Sequence, residues 1–297
     1  MYHNPVLIEE SIKGLNIIEG GIYVDATYGG GGHAKEIEGK IGKGKLFVFD
    51  RDAEAIENAK NDEKMVAIHS DYGNMKECLN NIGINEVDGI IADLGVSSHQ
   101  IDSPHRGFSW RFDSPLDMRM NREETATAAD IINTYSAKHL QSIFSEYGES
   151  SNARTLSLMI EKERKTKKIV TISDLKNAIE TLIPKDKTAK FLSKIFQALR
   201  IELNHELDSL KELLKQSAEL IRSGGRLVVI SYHSLEDRLV KNFMRNGNFE
   251  GNPVKDVYGN VIRPFTPLTK TPIVPGDAEI LANNRARSAK LRIAEKV

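Results

Sequence analysis

The sequence is short of cysteine, of long apolar runs and of net charge, and each shortage excludes a class of protein. A single cysteine, Cys78, rules out an intramolecular disulfide and a cysteine-based zinc cage, and it fits a reducing compartment. No apolar run approaches the roughly 18 residues that span a bilayer. The amino-terminal MYHNPVLIEESIKGL carries acids inside its apolar stretch and has no basic segment ahead of it, so a signal peptide is not expected and the chain reads as cytoplasmic. Lys and Arg number 41 against 42 Asp and Glu, a net charge of −1. A nucleic-acid partner must then be met by a local basic patch, because no global positive field exists. The eight histidines show no metal-ligand spacing, and there is no internal repeat.

What is present is a globular composition, 40% hydrophobic and 28% charged over 297 residues, enough for a sizeable core. Ile22–Asp25, Leu46–Asp50, Met65–His69 and Val87–Leu94 read as strands. His33–Ile41, Asp52–Lys60 (capped by Asp52) and a segment near Asn74–Asn81 read as the helices between and after them. Apolar strands alternating with helices imply a parallel sheet covered on both faces. From about Pro104 to Lys194 the strand runs stop and helical patterns take over: Ala126–Asn133, Ala137–Phe144, Ala153–Lys165 and Asp174–Leu182, with Ser136 and Ser173 as N-caps of the second and fourth. The earlier rhythm resumes with a long helical segment through Leu203–Ile221, a fifth strand at Arg226–Ser231 and a helix opened by capping-box spacing at Ser234–Asp237. Asn246–Ala282 reads mostly as loop, and Ala289–Glu295 as a final half-buried strand. The expected fold is α/β: a doubly wound, mostly parallel sheet formed by residues 1–104 and 196–297, interrupted by an all-helical insertion at 105–195. Two consecutive domains would leave the Arg226–Ser231 strand without a sheet.

The stretch Asp25-Ala26-Thr27-Tyr28 leads into four glycines, Gly29 to Gly32, then His33 and Ala34. It lies between a strand and a helix, where open α/β sheets bind their ligands. Glycines there let the backbone turn tightly and approach a ligand that a Cβ would strike. Gly29, Gly31 and Ala34 satisfy the dinucleotide spacing G-x-G-x-x-A. Asp50, 18 residues past Gly32, suits a ribose diol in either NAD or S-adenosylmethionine. Asp25 favours the second, since a carboxylate can receive hydrogen bonds from loop amides or a cofactor ammonium and has no use beside a pyrophosphate. Bracing the loop and touching the ligand are both open to it. A second constellation, Asp93-Leu94-Gly95-Val96-Ser97-Ser98-His99-Gln100, follows the fourth strand and faces the same cleft. Arg106–Ser109 and Pro115–Met120 mix Arg, aromatic and Met residues in an irregular segment, as a lid or substrate wall would.

These residues carry a resemblance. The chain resembles the bacterial RsmH (MraW) family of S-adenosylmethionine-dependent methyltransferases, which act on N4 of a cytidine in 16S ribosomal RNA, in the decoding region of the small subunit. The match runs in order from His3-Asn4-Pro5-Val6-Leu7 through the glycine loop, Phe49–Asp52 (FDRD), Asp93–Ser98 (DLGVSS), RGFS at Arg106–Ser109 and PLDMRM at Pro115–Met120. It continues through Phe196–Ile201, Asn204 with Glu206-Leu207, Gly224–Lys241 and Arg287–Arg292, covering nearly the whole chain. Departures are small: Ala26 stands where the family often has glycine, and Asn284 where proline is common. The resemblance implies a class I methyltransferase fold and S-adenosyl-L-methionine as cofactor. It implies cofactor contacts at Gly31, Gly32 and His33 in the loop, Asp50 after the second strand, Tyr72 beside the adenine, and Asp93 and Gln100 near the methionyl end.

Chemistry narrows the acceptor. Transfer from a sulfonium needs an in-line nucleophile, and positioning alone supplies roughly 7–11 kcal/mol. Methylation at cytosine C5 needs a thiolate, whereas Cys78 falls in a predicted helix away from the fourth strand and reads as core. An exocyclic amine needs no covalent step, only acceptors that orient it. Asp93 occupies the first place of the D/N/S-P-P-Y/F segment of amino-methyltransferases and is the candidate catalytic residue; contact with the base, the cofactor or both is open. Because the chain continues Leu94-Gly95 without that segment's aromatic, base stacking falls to Phe108, Trp110 or Tyr232. His233 and Ser234 face the expected cleft, Ser234 equally as a helix cap. For RNA phosphates, Lys162–Lys168 and the group Arg285, Arg287, Lys290 and Arg292 stand out, the second preferred. Near-zero net charge points to recognition of folded RNA, within an assembled small subunit. Two rival readings are an NAD-dependent oxidoreductase using the same loop and a non-catalytic RNA-binding assembly factor, the latter opposed by the intact loop and Asp50.

Overall fold

The structure is a computed structural model that describes residues 5–59 and 63–297; His3, Asn4 and Lys60, named above, lie outside them. The first stretch holds α1 (Ile8–Leu15), β1 (Ile22–Asp25), α2 (Gly32–Glu38), β2 (Lys45–Asp50), α3 (Ala53–Glu57), β3 (Met65–His69), α4 (Met75–Asn81) and β4 (Val87–Asp93). Six helices follow: α5 (Ser98–Asp102), α6 (Ala128–Thr134), α7 (Ala137–Glu146), α8 (Ala153–Glu163), α9 (Ile172–Ala178) and α10 (Thr188–Asn204). The last stretch holds α11 (Glu206–Leu220), β5 (Ile221–Ser231), α12 (Ser234–Asn246), β6 (Phe265–Pro267), α13 (Asp277–Ala282) and β7 (Lys290–Lys296). Two compact units result, Met1–Gly95 with Leu207–Val297, and Val96–Glu206. The insertion boundaries expected at 105 and 195 are therefore displaced outward. The reason is local: α10 runs unbroken through residue 195, so a cut there would fall inside a helix.

In the first unit the seven strands lie in the order β3-β2-β1-β4-β5-β7-β6, the first five parallel and β7 antiparallel to both its neighbours. The winding direction reverses between β1 and β4, the switch point where such sheets bind ligands. Side chains alternate between two buried faces. Val24, Phe47, Ile90 and Val229 pack toward α4, α11 and α12 on one side, and Tyr23, Leu46, Ile91 and Val228 toward α1 and α2 on the other. Burial on both faces is why the strands read as continuous apolar runs. β5 begins five residues earlier than expected, at Ile221. That residue pairs with Val87 before exposed Arg222, Ser223 and Gly224 bulge out and the ladder resumes at Arg226 opposite Gly89. β6 has no counterpart in the sequence pattern. It is three residues long, only Phe265 is buried, and its register comes entirely from β7.

The second unit packs α6 to α10 around its own core, including Ile132, Leu140, Phe144, Ile160 and Leu199. Its irregular segment is held by two buried polar residues. Arg106 donates to the carbonyls of Arg119 and Met120, each at 3.1 Å. Asn204 on α10 donates to Met118 O at 2.9 Å and accepts from Met120 N at 2.8 Å. Ser136 caps α7 as expected, but α9 is capped by Thr171, not Ser173. Thr171 and Asp174 form a full capping box, whose reciprocal bonds outcompete a cap two residues later. The helix expected through Leu203–Ile221 is two helices. His205 sits at φ 49, ending α10 at Asn204, and Glu206 turns back to accept both Arg200 Nε and Nη2, at 2.8 and 2.9 Å.

Candidate functional site

Strands β2, β1, β4 and β5 lie side by side, and their carboxyl ends bring Asp50, Asp25, Asp93 and Tyr232 to one edge of the first unit. Asp25 is buried. Its Oδ1 accepts from Thr27 N at 3.1 Å, while Oδ2 has no hydrogen-bond partner among the described residues. Burial pushes this carboxyl up to about 6; His33 and the Thr27 N–H pull it down, and Asp93 and Asp50 push it further up. Asp93 donates its backbone N–H to Thr27 Oγ1 at 2.6 Å, and its Oδ1 accepts from the Tyr232 hydroxyl at 2.8 Å. Burial raises the Asp93 carboxyl to about 7, against the Tyr232 hydrogen bond and with Glu236 adding to the rise. Burial, with Asp93 next to it, holds the Tyr232 phenol well above its usual range, so it stays protonated and donates. Oδ2 of Asp93 makes no hydrogen bond among the described residues.

The glycine loop is braced from below. Asp50 Oδ2 accepts from Gly29 N and Oδ1 from Asp52 N, both at 2.8 Å, and burial shifts its carboxyl upward. Gly31 has φ +73, and a Cβ there would lie 2.7 Å from the Tyr28 hydroxyl. No other residue fits that position without strain. Gly32 opens α2, whose first N–H groups have no partner within the helix. His33 is buried, with Nε2 3.1 Å from Val6 O, and burial lowers its pKa. Its ring is thus spent on the amino-terminal segment, leaving its backbone to face the loop. Tyr72 follows β3 in a single turn of 3₁₀ helix, with the Arg51 guanidinium 5.9 Å from its ring centroid. Arg51 pairs with Asp71, and both bond Ser209 Oγ at 3.1 Å. The contacts that Arg51, Asp71, Ser209 and Thr27 make here carry no signal in the sequence. Their partners are far apart in the chain, and no spacing announces them.

Other expected residues fall differently. His233, not Ser234, is the N-cap of α12: its Nδ1 accepts from Glu236 N at 3.4 Å, and Glu236 Oε2 accepts from Tyr232 N at 2.9 Å and His233 N at 3.3 Å. The capping box therefore runs His233 to Glu236, because Ser234 is already helical. Tyr232, offered as a stacking surface, spends its hydroxyl on Asp93. Of the basic carboxyl-terminal group, Arg292 and Lys290 are both tied to Asp237, at 2.7 and 3.4 Å, while Arg287 is exposed and Arg285 half-buried in a short 3₁₀ turn. In the second unit Gln100 is buried. Its Oε1 accepts from Ser97 N at 3.0 Å, completing the capping box of α5. Phe108 and Trp110 are half-buried against that unit's own core, and Arg106 lies 5.9 Å from the Phe108 ring centroid.

These acids have measurable consequences. Asp50→Ala removes a charged acceptor and frees Gly29, and charged hydrogen bonds contribute roughly 1.5–3 kcal/mol. Affinity for S-adenosylhomocysteine is expected to fall about tenfold or more; calorimetry returning an unchanged affinity would remove Asp50 from the site. Asp25 acts on stability. Its folded pKa of about 6 lies above the unfolded value of about 3.9, so its contribution is intact below pH 4 and is lost as pH rises through 6. The penalty for ionising it reaches about 3 kcal/mol by pH 8. Asp25→Asn is therefore expected to gain on the wild type between pH 4.5 and pH 8 in urea melts of the cofactor-free protein. An equal difference at both pH values contradicts this.

A sheet of this order with an antiparallel seventh strand, a glycine loop after β1 and acids ending β2 and β4 define a class I methyltransferase fold. The chain belongs to the MraW methylase family, whose model matches residues 1–297. It is 53% identical over 298 residues to a ribosomal RNA small subunit methyltransferase H of Cytophaga hutchinsonii, covering 100% of both chains. It is 52% identical to the protein of the same name from Flavobacterium johnsoniae, covering 100% of this chain and 98% of that one. Among solved structures, an rRNA methylase from Streptococcus thermophilus covers 97% of this chain, and this chain 95% of that one, at 14% identity with a TM-score of 0.38.

Proposed function

We propose that this chain methylates N4 of a cytidine in 16S ribosomal RNA, in the decoding region of the small subunit, with S-adenosyl-L-methionine as donor. The observation that carries the donor is the acidic edge. Asp93 and Asp50 both raise the cost of ionising Asp25, and Asp25 Oδ2 is buried without a hydrogen-bond partner among the described residues. Such an edge calls for a cation. The ammonium and sulfonium of the donor fit it, whereas the pyrophosphate of NAD would be repelled, and the dinucleotide reading is set aside. In this reading Asp50 takes the ribose hydroxyls with its remaining lone pairs, Tyr72 flanks the adenine, and the N–H groups of Gly32 and His33 meet the methionyl end.

When bound, the donor supplies an electrophilic methyl group, and the residues of the chain have to orient the amine and take its proton. Asp93 Oδ1 is held by Tyr232, so Oδ2 is the free acceptor for one N4 proton. As the nitrogen–carbon bond forms and the carbon–sulfur bond breaks, that proton passes to a carboxylate whose pKa of about 7 suits a base at neutral pH. Covalent C5 chemistry has no support here: Cys78 is half-buried on α4, packed against a sheet face rather than at the strand ends. Family membership and full-length relatives named as small subunit rRNA methyltransferases support RNA as substrate, and in this reading the helical insertion at 105–195 recognises it, within an assembled subunit. Nucleoside mass spectrometry of 16S rRNA from cells with and without the protein tests the reading. Loss of N4-methylcytidine is expected; 5-methylcytidine or N6-methyladenosine as the dependent product overturns it.

A further inference from the structure

Away from the acidic edge, the first unit contains a cavity of about 540 Å³ between α12, β7 and the segment that leaves β6. Its walls carry five cations, Lys241, Arg245, Arg263, Lys270 and Arg292, and no acid. Arg292 alone is neutralised, through Nε to Asp237 Oδ1 at 2.7 Å. Arg263 donates to Arg245 O at 3.3 Å, which anchors its guanidinium and leaves its charge uncompensated. Lys241, Arg245 and Lys270 are exposed and have no acidic partner among the described residues. Buried Met244 and Ile293 form an apolar floor.

Four uncompensated cations around one cavity, in a chain whose net charge is −1, repel one another unless an anion sits among them. The fold itself builds this arrangement. Lys241 and Arg245 share one face of α12 at i, i+4 spacing. Leu268 N donates to Ile293 O at 2.9 Å, which lays the Lys270 segment along β7. One helix links the cavity to the acceptor end of the sheet. α12 starts at Ser234, directly after Tyr232 and His233, and Lys241 stands two turns on, about 10 Å along the axis.

We infer that this cavity seats phosphates of the RNA backbone flanking the methylated nucleotide. The inference rests on the RNA methyltransferase reading above. It moves the phosphate contact away from Lys290 and Arg292, which Asp237 engages, to the face formed by α12 and the segment after β6. Guanidinium and ammonium groups set around an apolar floor suit a phosphodiester chain whose sugars and charges alternate.

The test compares the doubly substituted Lys241→Glu/Lys270→Glu with wild type and with Lys43→Glu, an exposed lysine just before β2. The substrate is small ribosomal subunits from cells lacking the enzyme. The double variant is expected to raise KM for subunits about tenfold or more. It should also flatten the dependence of log affinity on log salt by about 0.7–0.9 for each phosphate that is no longer neutralised. It should leave kcat at saturating subunits and the affinity for S-adenosylhomocysteine unchanged, which also shows that the fold is intact. An unchanged KM and salt slope, or an equal change from Lys43→Glu, overturns the inference. So does tight binding of free pyrophosphate in the cavity with the KM for subunits unaltered by the substitutions. If the wild type methylates no small-subunit RNA, the functional reading fails instead, and the salt slopes of wild type and variant on 16S rRNA still decide the cavity.

Discussion

Asp93→Asn is expected to lower kcat by about 10²–10⁴-fold with both donor and RNA saturating, the range set by loss of a positioned general base. The substitution is close to isosteric. The new side chain would keep an oxygen for the Tyr232 hydroxyl, and the backbone N–H would still reach Thr27 Oγ1, so the edge of the sheet should survive. What changes is the second atom of the group. Oδ2, the free acceptor, either becomes an amide nitrogen that donates toward the substrate amine, or the amide flips and surrenders the Tyr232 bond. Neither arrangement accepts a proton. Removing a carboxylate that burial and Glu236 oppose, and that raises the cost of ionising Asp25, also relieves the edge, so the variant should be at least as stable as the wild type at pH 8. Loss of turnover with retained or improved stability separates chemistry from folding. A different outcome, full kcat at saturating donor with a large loss of donor affinity, would assign Asp93 to the cofactor alone.

How much of this edge can be read in one sequence differs residue by residue. β3 is legible to the residue, because Met65–His69 is a short apolar run with polar breaks on both sides. The loop is legible because four consecutive glycines at a strand end have few other uses. β6 is not, since three residues with one buried side chain carry no period. The cap of α12 is misplaced by one residue. Serine is the commoner cap, and the choice of His233 depends on Glu236 reaching back to two amides, a geometry that spacing alone does not rank. The least legible feature is the pairing of Asp93 with Tyr232, 139 residues apart. Each residue is visible as polar near a strand end. Their adjacency follows only once β4 and β5 are known to be neighbours, with Asp93 opposite Ile230.

That pairing supplies the second large effect, on pH dependence. Tyr232→Phe removes a hydrogen bond that stabilises ionised Asp93, leaving burial and the nearby Glu236 carboxylate to oppose ionisation. Charged hydrogen bonds are worth roughly 1.5–3 kcal/mol, so the Asp93 pKa should climb from about 7 by about one to two units. With the carboxylate as the proposed base, activity is lost as pH falls through this pKa, and raising the pKa moves the acid limb upward. At pH 7 the variant is expected to lose about tenfold or more in kcat/KM for the donor, a parameter that reports the unliganded enzyme. By pH 9 most of that loss should be recovered. A merely structural tyrosine predicts something else: a reduction of the same size at every pH, with the acid limb where the wild type has it. Measuring kcat/KM from pH 6 to 9.5 distinguishes the two, and an unmoved limb would show that Tyr232 packs the edge without tuning its base.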